Sequence, residues 1–279
     1  MLNCRQICQS LKEQIGASFL PATVHSRFQS AANLSTPLGL VTLLGPGKSL
    51  QPYSILLERE MDLARIEDGT LRLYAQGLWC DDMQEVSFAQ AEVIDLMYRR
   101  VGPLLPESGR RIRSFLLKHG DYELVQLLMG QANGVYAKEI EPRFQMLRQA
   151  VRIRQIQEMV CAAGLLAGCG MGLTPSSDDL LCGYLWALWS LDGMEDTIRR
   201  MAAAAAMRTN DISAALLTRA GEGRFSADIL ALTACLMRQA GRETDEGALC
   251  AVAEFGSTSG RDFLTGAYLG ITDICYIRG

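Results

Sequence analysis

Gly172-Leu173-Thr174-Pro175-Ser176-Ser177-Asp178-Asp179-Leu180-Leu181-Cys182-Gly183 reads as a turn that becomes a helix. Glycine permits the irregular entry, and the serine, threonine and aspartate oxygens satisfy the free N–H groups of a first helical turn. The apolar run at 184–191 continues the helix. The pattern returns in Gly256-Ser257-Thr258-Ser259-Gly260-Arg261-Asp262-Phe263-Leu264-Thr265-Gly266, followed by apolar residues 267–277. Each copy reads Gly-x-Thr, a serine-containing turn, then Asp-x-Leu-x-Gly, with a one-residue difference in the turn.

Working outward, helix signals surround both copies. Residues 202–206 are strong helix formers, and 211–220, 227–240 and 245–255 read as successive packed helices. Residues 140–163 predict one long amphipathic helix whose Arg143, Arg148, Arg152 and Arg154 form a solvated face. Gly120-Asp121 predicts the end of one helix and the start of another, and a helical regime is expected from 89–100 onward. Before it the texture differs. Short runs at 23–28, 39–44, 53–57 and 70–75, separated by Gly, Pro and Asn, predict strands. Leu2, Ile7, Leu11 and Ile15 predict a helix over 1–17. The expected fold is α+β: a β-rich part over 1–100, a small sheet or partial barrel with a leading helix, then a helical part over 101–279.

Bulk properties exclude several classes. The 279 residues carry a net charge of −4, with 49% hydrophobic and 21% charged, so nothing draws the chain to nucleic acid or an anionic membrane. No apolar run approaches the roughly 18 residues of a membrane span, and residues 1–16 lack an apolar signal core, so a cytoplasmic protein is expected. Nine scattered cysteines without a Cys-x-x-Cys pair, and two distant histidines, His25 and His119, argue against a disulfide framework or structural zinc. The thiols read as small buried hydrophobes.

Three familiar motifs fail. Gly45-Pro46-Gly47-Lys48-Ser49 lacks the earlier glycine of a phosphate loop, whose place is taken by Thr42. Gly168-Cys169-Gly170-Met171-Gly172 puts Leu173 where a dinucleotide turn needs glycine. No Gly-x-Ser-x-Gly elbow accompanies either histidine.

The paired turns remain. One reading makes them two well-capped helices, with Gly183 and Gly266 allowing close packing. The other sets the two helix starts face to face, making a pocket of N–H groups and hydroxyls suited to phosphate or carboxylate. Its anion contacts would be Gly172, Thr174, Ser176, Ser177, Gly256, Thr258, Ser259 and Gly260, with Arg261 supplying charge. Asp178, Asp179 and Asp262 then read as catalytic groups, as caps and orienters of the hydroxyls, or as ligands for a divalent cation. Asp178 or Asp179 is the base to expect, or the group that positions a substrate amide, and it needs burial or a neighbouring carboxylate, because an ordinary Asp is a weak base at neutral pH. Residues 208–213 and 220–225 form a third polar patch that could join the pocket.

Gly172–Gly183 and Gly256–Gly266 together resemble the paired signature of a bacterial family long catalogued as a domain of unknown function. It includes the small subunit of the oxamate carbamoyltransferase of anaerobic allantoin breakdown. Residues 24–28, 33–34, 43–46 and 209–225 are similar to further parts of that family. Ser177 stands where the family usually has Gly or His. The resemblance implies a multi-subunit assembly with an FdrA-like protein and a further subunit. That assembly moves a carbamoyl group between carbamoyl phosphate and oxamate, giving oxalurate and phosphate in one direction. The alternative is a non-catalytic anion-binding or assembly subunit.

Overall fold

The computed structural model describes residues 2–16, 19–66, 71–80, 83–119, 122–238 and 242–278. They form two compact units, one of residues 1–97 with 225–227 and one of 98–224 with 228–279.

The first unit is built from β1 (Leu2–Cys8), α1 (Gln9–Gln14), β2 (Leu20–Phe28), β3 (Ala31–Thr36), β4 (Gly39–Leu44), β5 (Ser54–Leu57), β6 (Leu71–Tyr74), β7 (Gly77–Cys80), β8 (Met83–Ser87) and β9 (Glu92–Ile94). The strand order is β5-β4-β3-β2-β6-β7-β8-β1-β9, and β1 also pairs with β5. Eight strands therefore close a ring, with β9 added beside β1. Closure removes the open edges that would otherwise recruit other chains. Ile7, Leu34, Leu43, Ile55, Leu57, Leu78 and Val86 are fully buried in its core. Leu71 and Leu73 are buried on either side of exposed Arg72, the period-two pattern of a strand with one face inward.

Two expectations are corrected here. Among the described residues of 1–17, residues 2–8 are a strand and only Gln9–Gln14 is helical. β1 pairs antiparallel with β5 and parallel with β8 and β9, and those long-range pairings override a local helical spacing. Residues 89–100 are not helical either, since β9 lies there and the next helix begins at Pro106.

The second unit is helical: α2 (Pro106–Lys118), α3 (Val135–Arg152), α4 (Ile156–Leu166), α5 (Ser176–Leu188), α6 (Glu195–Ala206), α7 (Asp211–Gly221), α8 (Ala227–Arg238), α9 (Arg242–Ala253) and α10 (Ser259–Arg278). The expected junction at Gly120-Asp121 lies outside the described residues. The single helix expected over 140–163 is two, because Arg154 takes a left-handed φ of 56° between α3 and α4.

α5 and α10 form the centre of this unit and pack most extensively on each other. A Cβ on Gly183 would lie 1.9 Å from the Phe263 carbonyl oxygen, and one on Gly266 would lie 1.9 Å from that of Leu180. The two backbones touch directly, so only glycine fits at either position.

Farther along these helices, Asp273 is fully buried. It accepts two 2.8 Å hydrogen bonds from Arg148, one of 2.7 Å from Arg152 and one of 2.9 Å from the Tyr184 hydroxyl. Arg148 and Arg152 are thus not a purely solvated face: they reach inward and tie α3 to α10.

Candidate functional site

The two copies of the turn are exchanged by an approximate two-fold relation. Gly183 meets Phe263 and Ala267 of the other helix, while Gly266 meets Leu180 and Tyr184, their counterparts in the first copy. Asp179 and Asp262 are each the fourth residue of their helix. The hydroxyls of Thr174 and Ser259 share a 2.9 Å hydrogen bond, which fastens one turn to the start of the other helix.

Each carboxyl is surrounded in the same way. Asp179 lies beside Ser259 of the opposite helix and Thr174 of its own turn. Asp262 lies beside Ser176 of the opposite helix and Thr258 of its own turn. Asp179 is 7% exposed and Asp262 only 2%, and the Oδ2 atom of each has no hydrogen-bond partner among the described residues. A buried acceptor left unpaired is costly, and natural proteins keep few of them.

Burial pushes the Asp179 carboxyl up to about 8; Asp262 and Asp178 add to the rise, and the hydroxyls of Ser259 and Thr174 oppose it. Burial likewise pushes Asp262 up to about 6, against the pull of the Ser176 and Thr258 hydroxyls; Glu123 adds to the rise and Arg261 opposes it. Both carboxyls are thus held above the ordinary carboxylate range, Asp179 further than Asp262. Two like groups driven apart by their surroundings are the usual basis for separate acid and base roles.

The remaining predicted residues fall into two groups. Ser176, Thr174, Thr258 and Ser259 join the two carboxyls, while Gly172 and Gly256 are exposed with left-handed φ values of 90° and 62°. Asp178, Ser177, Gly260 and Arg261 are engaged elsewhere. Asp178 accepts from the Gly168 amide at 2.7 Å and from the Thr209 hydroxyl at 2.5 Å, so it braces the loop before α5 against the start of α7. Ser177 exchanges hydrogen bonds with Cys169, its hydroxyl accepting at 2.8 Å and its amide donating at 3.0 Å. The Gly260 amide donates to the Phe255 carbonyl at 3.0 Å. An anion at these helix starts therefore meets hydroxyls in place of those two amides. Arg261 donates to the Ala253 and Ser257 carbonyls and stacks 4.2 Å above the Tyr122 ring.

Of the third polar patch, the Thr209 hydroxyl donates to Asp178, and so belongs to the brace of the loop before α5 and not to the surroundings of Asp179 and Asp262. Glu123 was missed by the sequence reading. Its carboxylate caps α3 by accepting from the Ala137 amide, and its charge acts on Asp262. A lone glutamate beside a short 3-10 segment, Leu124–Met129, gave no signal of either role.

Among the described residues, no three or more His, Cys, Asp or Glu side chains group as a metal site. No described helix is long and apolar enough to cross a membrane.

Comparison with curated proteins and with solved structures gave no match. Two family models do match. That of the oxamate carbamoyltransferase subunit AllH covers residues 166–271, the span holding both turns, and that of the AllH family N-terminal domain covers 3–93. Together they take in most of the chain, which belongs to the AllH family of oxamate carbamoyltransferase subunits.

Proposed function

We propose that the paired turns are a substrate site of the oxamate carbamoyltransferase complex to which this subunit belongs, and that Asp262 is its base. In this reading the oxamate amide nitrogen attacks the carbonyl carbon of carbamoyl phosphate. The new C–N bond forms as the C–O bond to phosphate breaks. The nitrogen loses one proton, taken by Asp262 and passed on to the departing phosphate, leaving oxalurate. Thr174, Ser176, Thr258 and Ser259 supply hydroxyl donors for charge developing on oxygen, and holding both reactants at one point removes much of the entropic barrier.

The observation that carries the proposal is the twin arrangement itself: two buried carboxyls, each with an unpaired oxygen, at matching places in the two turns. Both fall within the span matched by the AllH family model. The partners in this reading are an FdrA-like protein and a further subunit. Met171, Leu173 and Phe255, large apolar side chains exposed on these same turns, are consistent with a partner covering the turns.

The test is carbamoyl transfer from carbamoyl phosphate to oxamate by the reconstituted complex. Asp262→Asn, isosteric but unable to hold a proton, should lower kcat about 10²–10⁴-fold with the assembly intact. Wild-type turnover by that variant would remove the site from the reaction.

A further inference from the structure

Away from the paired turns, α2 and α9 line a cavity of about 490 Å³, and none of its described lining residues belongs to either turn. Its floor is Phe115 and Leu249, both buried, with Asp245, whose side chain is 3% exposed. Its rim carries Glu107, Arg110, Lys118 and Glu246. Arg111 lies between floor and rim: it pairs with Asp245 and comes within 3.6 Å of Glu107. One oxygen of Asp245, Oδ2, accepts a hydrogen bond from Arg111. The other, Oδ1, has no hydrogen-bond partner among the described residues. A carboxylate oxygen only accepts, so what this cavity lacks is a donor.

We infer that the cavity between α2 and α9 binds a free α-amino acid with an apolar side chain, its ammonium on Asp245 and its carboxylate toward Arg111 and Lys118. The charge pattern selects the class. Arg110, Arg111 and Lys118 stand against Glu107, Asp245 and Glu246, so neither a phosphate nor a divalent cation meets a surplus of opposite charge. Opposite charges set side by side suit a molecule that carries both, and in an α-amino acid the two groups share one carbon. Its ammonium brings the donor that Asp245 Oδ1 lacks. Its carboxylate meets a guanidinium, whose planar fork serves more than one carboxylate. Lys118 donates to Glu246 at 2.6 Å, an exposed pair of small net worth that an incoming carboxylate can share. Phe115 and Leu249 give the ligand's side chain an apolar wall, and the cavity has the size of a small-molecule site.

Calorimetry on the full chain tests this, with leucine and phenylalanine as probes. The tighter of the two should bind with a Kd below about 1 mM. Its analogues that lack one charge should each bind at least about ten-fold more weakly. For leucine these are isocaproate, without the amine, and isoamylamine, without the carboxylate; for phenylalanine, hydrocinnamate and phenethylamine. Asp245→Asn, close to aspartate in shape, should weaken the amino acid about ten-fold. Lys118→Glu, at an exposed position, should weaken the amino acid while the matching amine binds at least as tightly as before. Inorganic phosphate and magnesium ion should not compete. Three results overturn the inference: both amino acids weaker than about 1 mM, a one-charge analogue that binds as well as its parent, or an affinity unchanged in both variants. None of these readouts involves carbamoyl transfer, so this site stands or falls apart from the reading of the paired turns.

Discussion

The α5–α10 pair buries carboxyl groups at two places and treats them in opposite ways. At Asp273 two arginines and a tyrosine hydroxyl converge on one acid, and both of its oxygens are paired. At the helix starts two acids converge without a salt bridge among the described residues, and each keeps an unpaired oxygen. The first arrangement ties three helices together and leaves nothing over for a ligand. The second gives up stability at a place where a small molecule could restore the missing hydrogen bonds. Within one helix pair, satisfaction marks structure and its lack marks the candidate site.

Substitutions at the two places should differ in sign. Asp273→Ala should cost most, about 3–5 kcal/mol, because it leaves the largely buried Arg148 and its neighbour Arg152 without their counter-charge. Thermal or urea melts of the purified chain would show it. Gly266→Ala comes next, at about 3 kcal/mol, since a methyl there must push the Leu180 carbonyl away. If Gly266→Ala melts like wild type, the two helices are not in backbone contact.

Asp179→Asn should go the other way. The folded-state value of about 8 lies above that of an unfolded Asp, so the native chain binds the extra proton between about pH 4 and pH 8. Wild-type stability should therefore fall by about 1 kcal/mol per pH unit as pH rises from 6 to 8, then level off. The Asn variant should lack that fall and be the more stable protein at pH 8. Melts at pH 6 and pH 8 that are parallel for the two proteins would contradict the burial of a protonated acid. Smallest, Thr209→Val removes one of the donors to Asp178 and should cost about 1 kcal/mol while leaving the pH slope unchanged. A change in slope would draw Asp178 into the titrating group.

The helical half was legible because its signals are local. Glycine, serine and aspartate at 172–179 and 256–262 announce helix starts, and the structure places them at Ser176 and Ser259. The β-rich half was legible in texture only. Of β1, Leu2–Cys8, the sequence showed a helical spacing, whereas its pairing partners lie at 55–57, 86–87 and 92–94. The site was legible as a repeat, and its members sorted only in three dimensions. Asp178 and Asp179 are adjacent and chemically identical, yet one faces the Gly168 amide and Thr209 while the other faces Ser259. Arg148 was misread for the same reason, since its partner lies 125 residues away.

The glycine crossing bears on how well that site holds its shape. Side chains between two helices act as cushions, and rotamer changes let the axes slide by fractions of an ångström. At Gly183 and Gly266 there is no cushion, and backbone rests on backbone at two reciprocal points. The crossing behaves as a caliper locked at one setting. The positions of Asp179 and Asp262, four residues before those glycines, are then fixed by main-chain geometry.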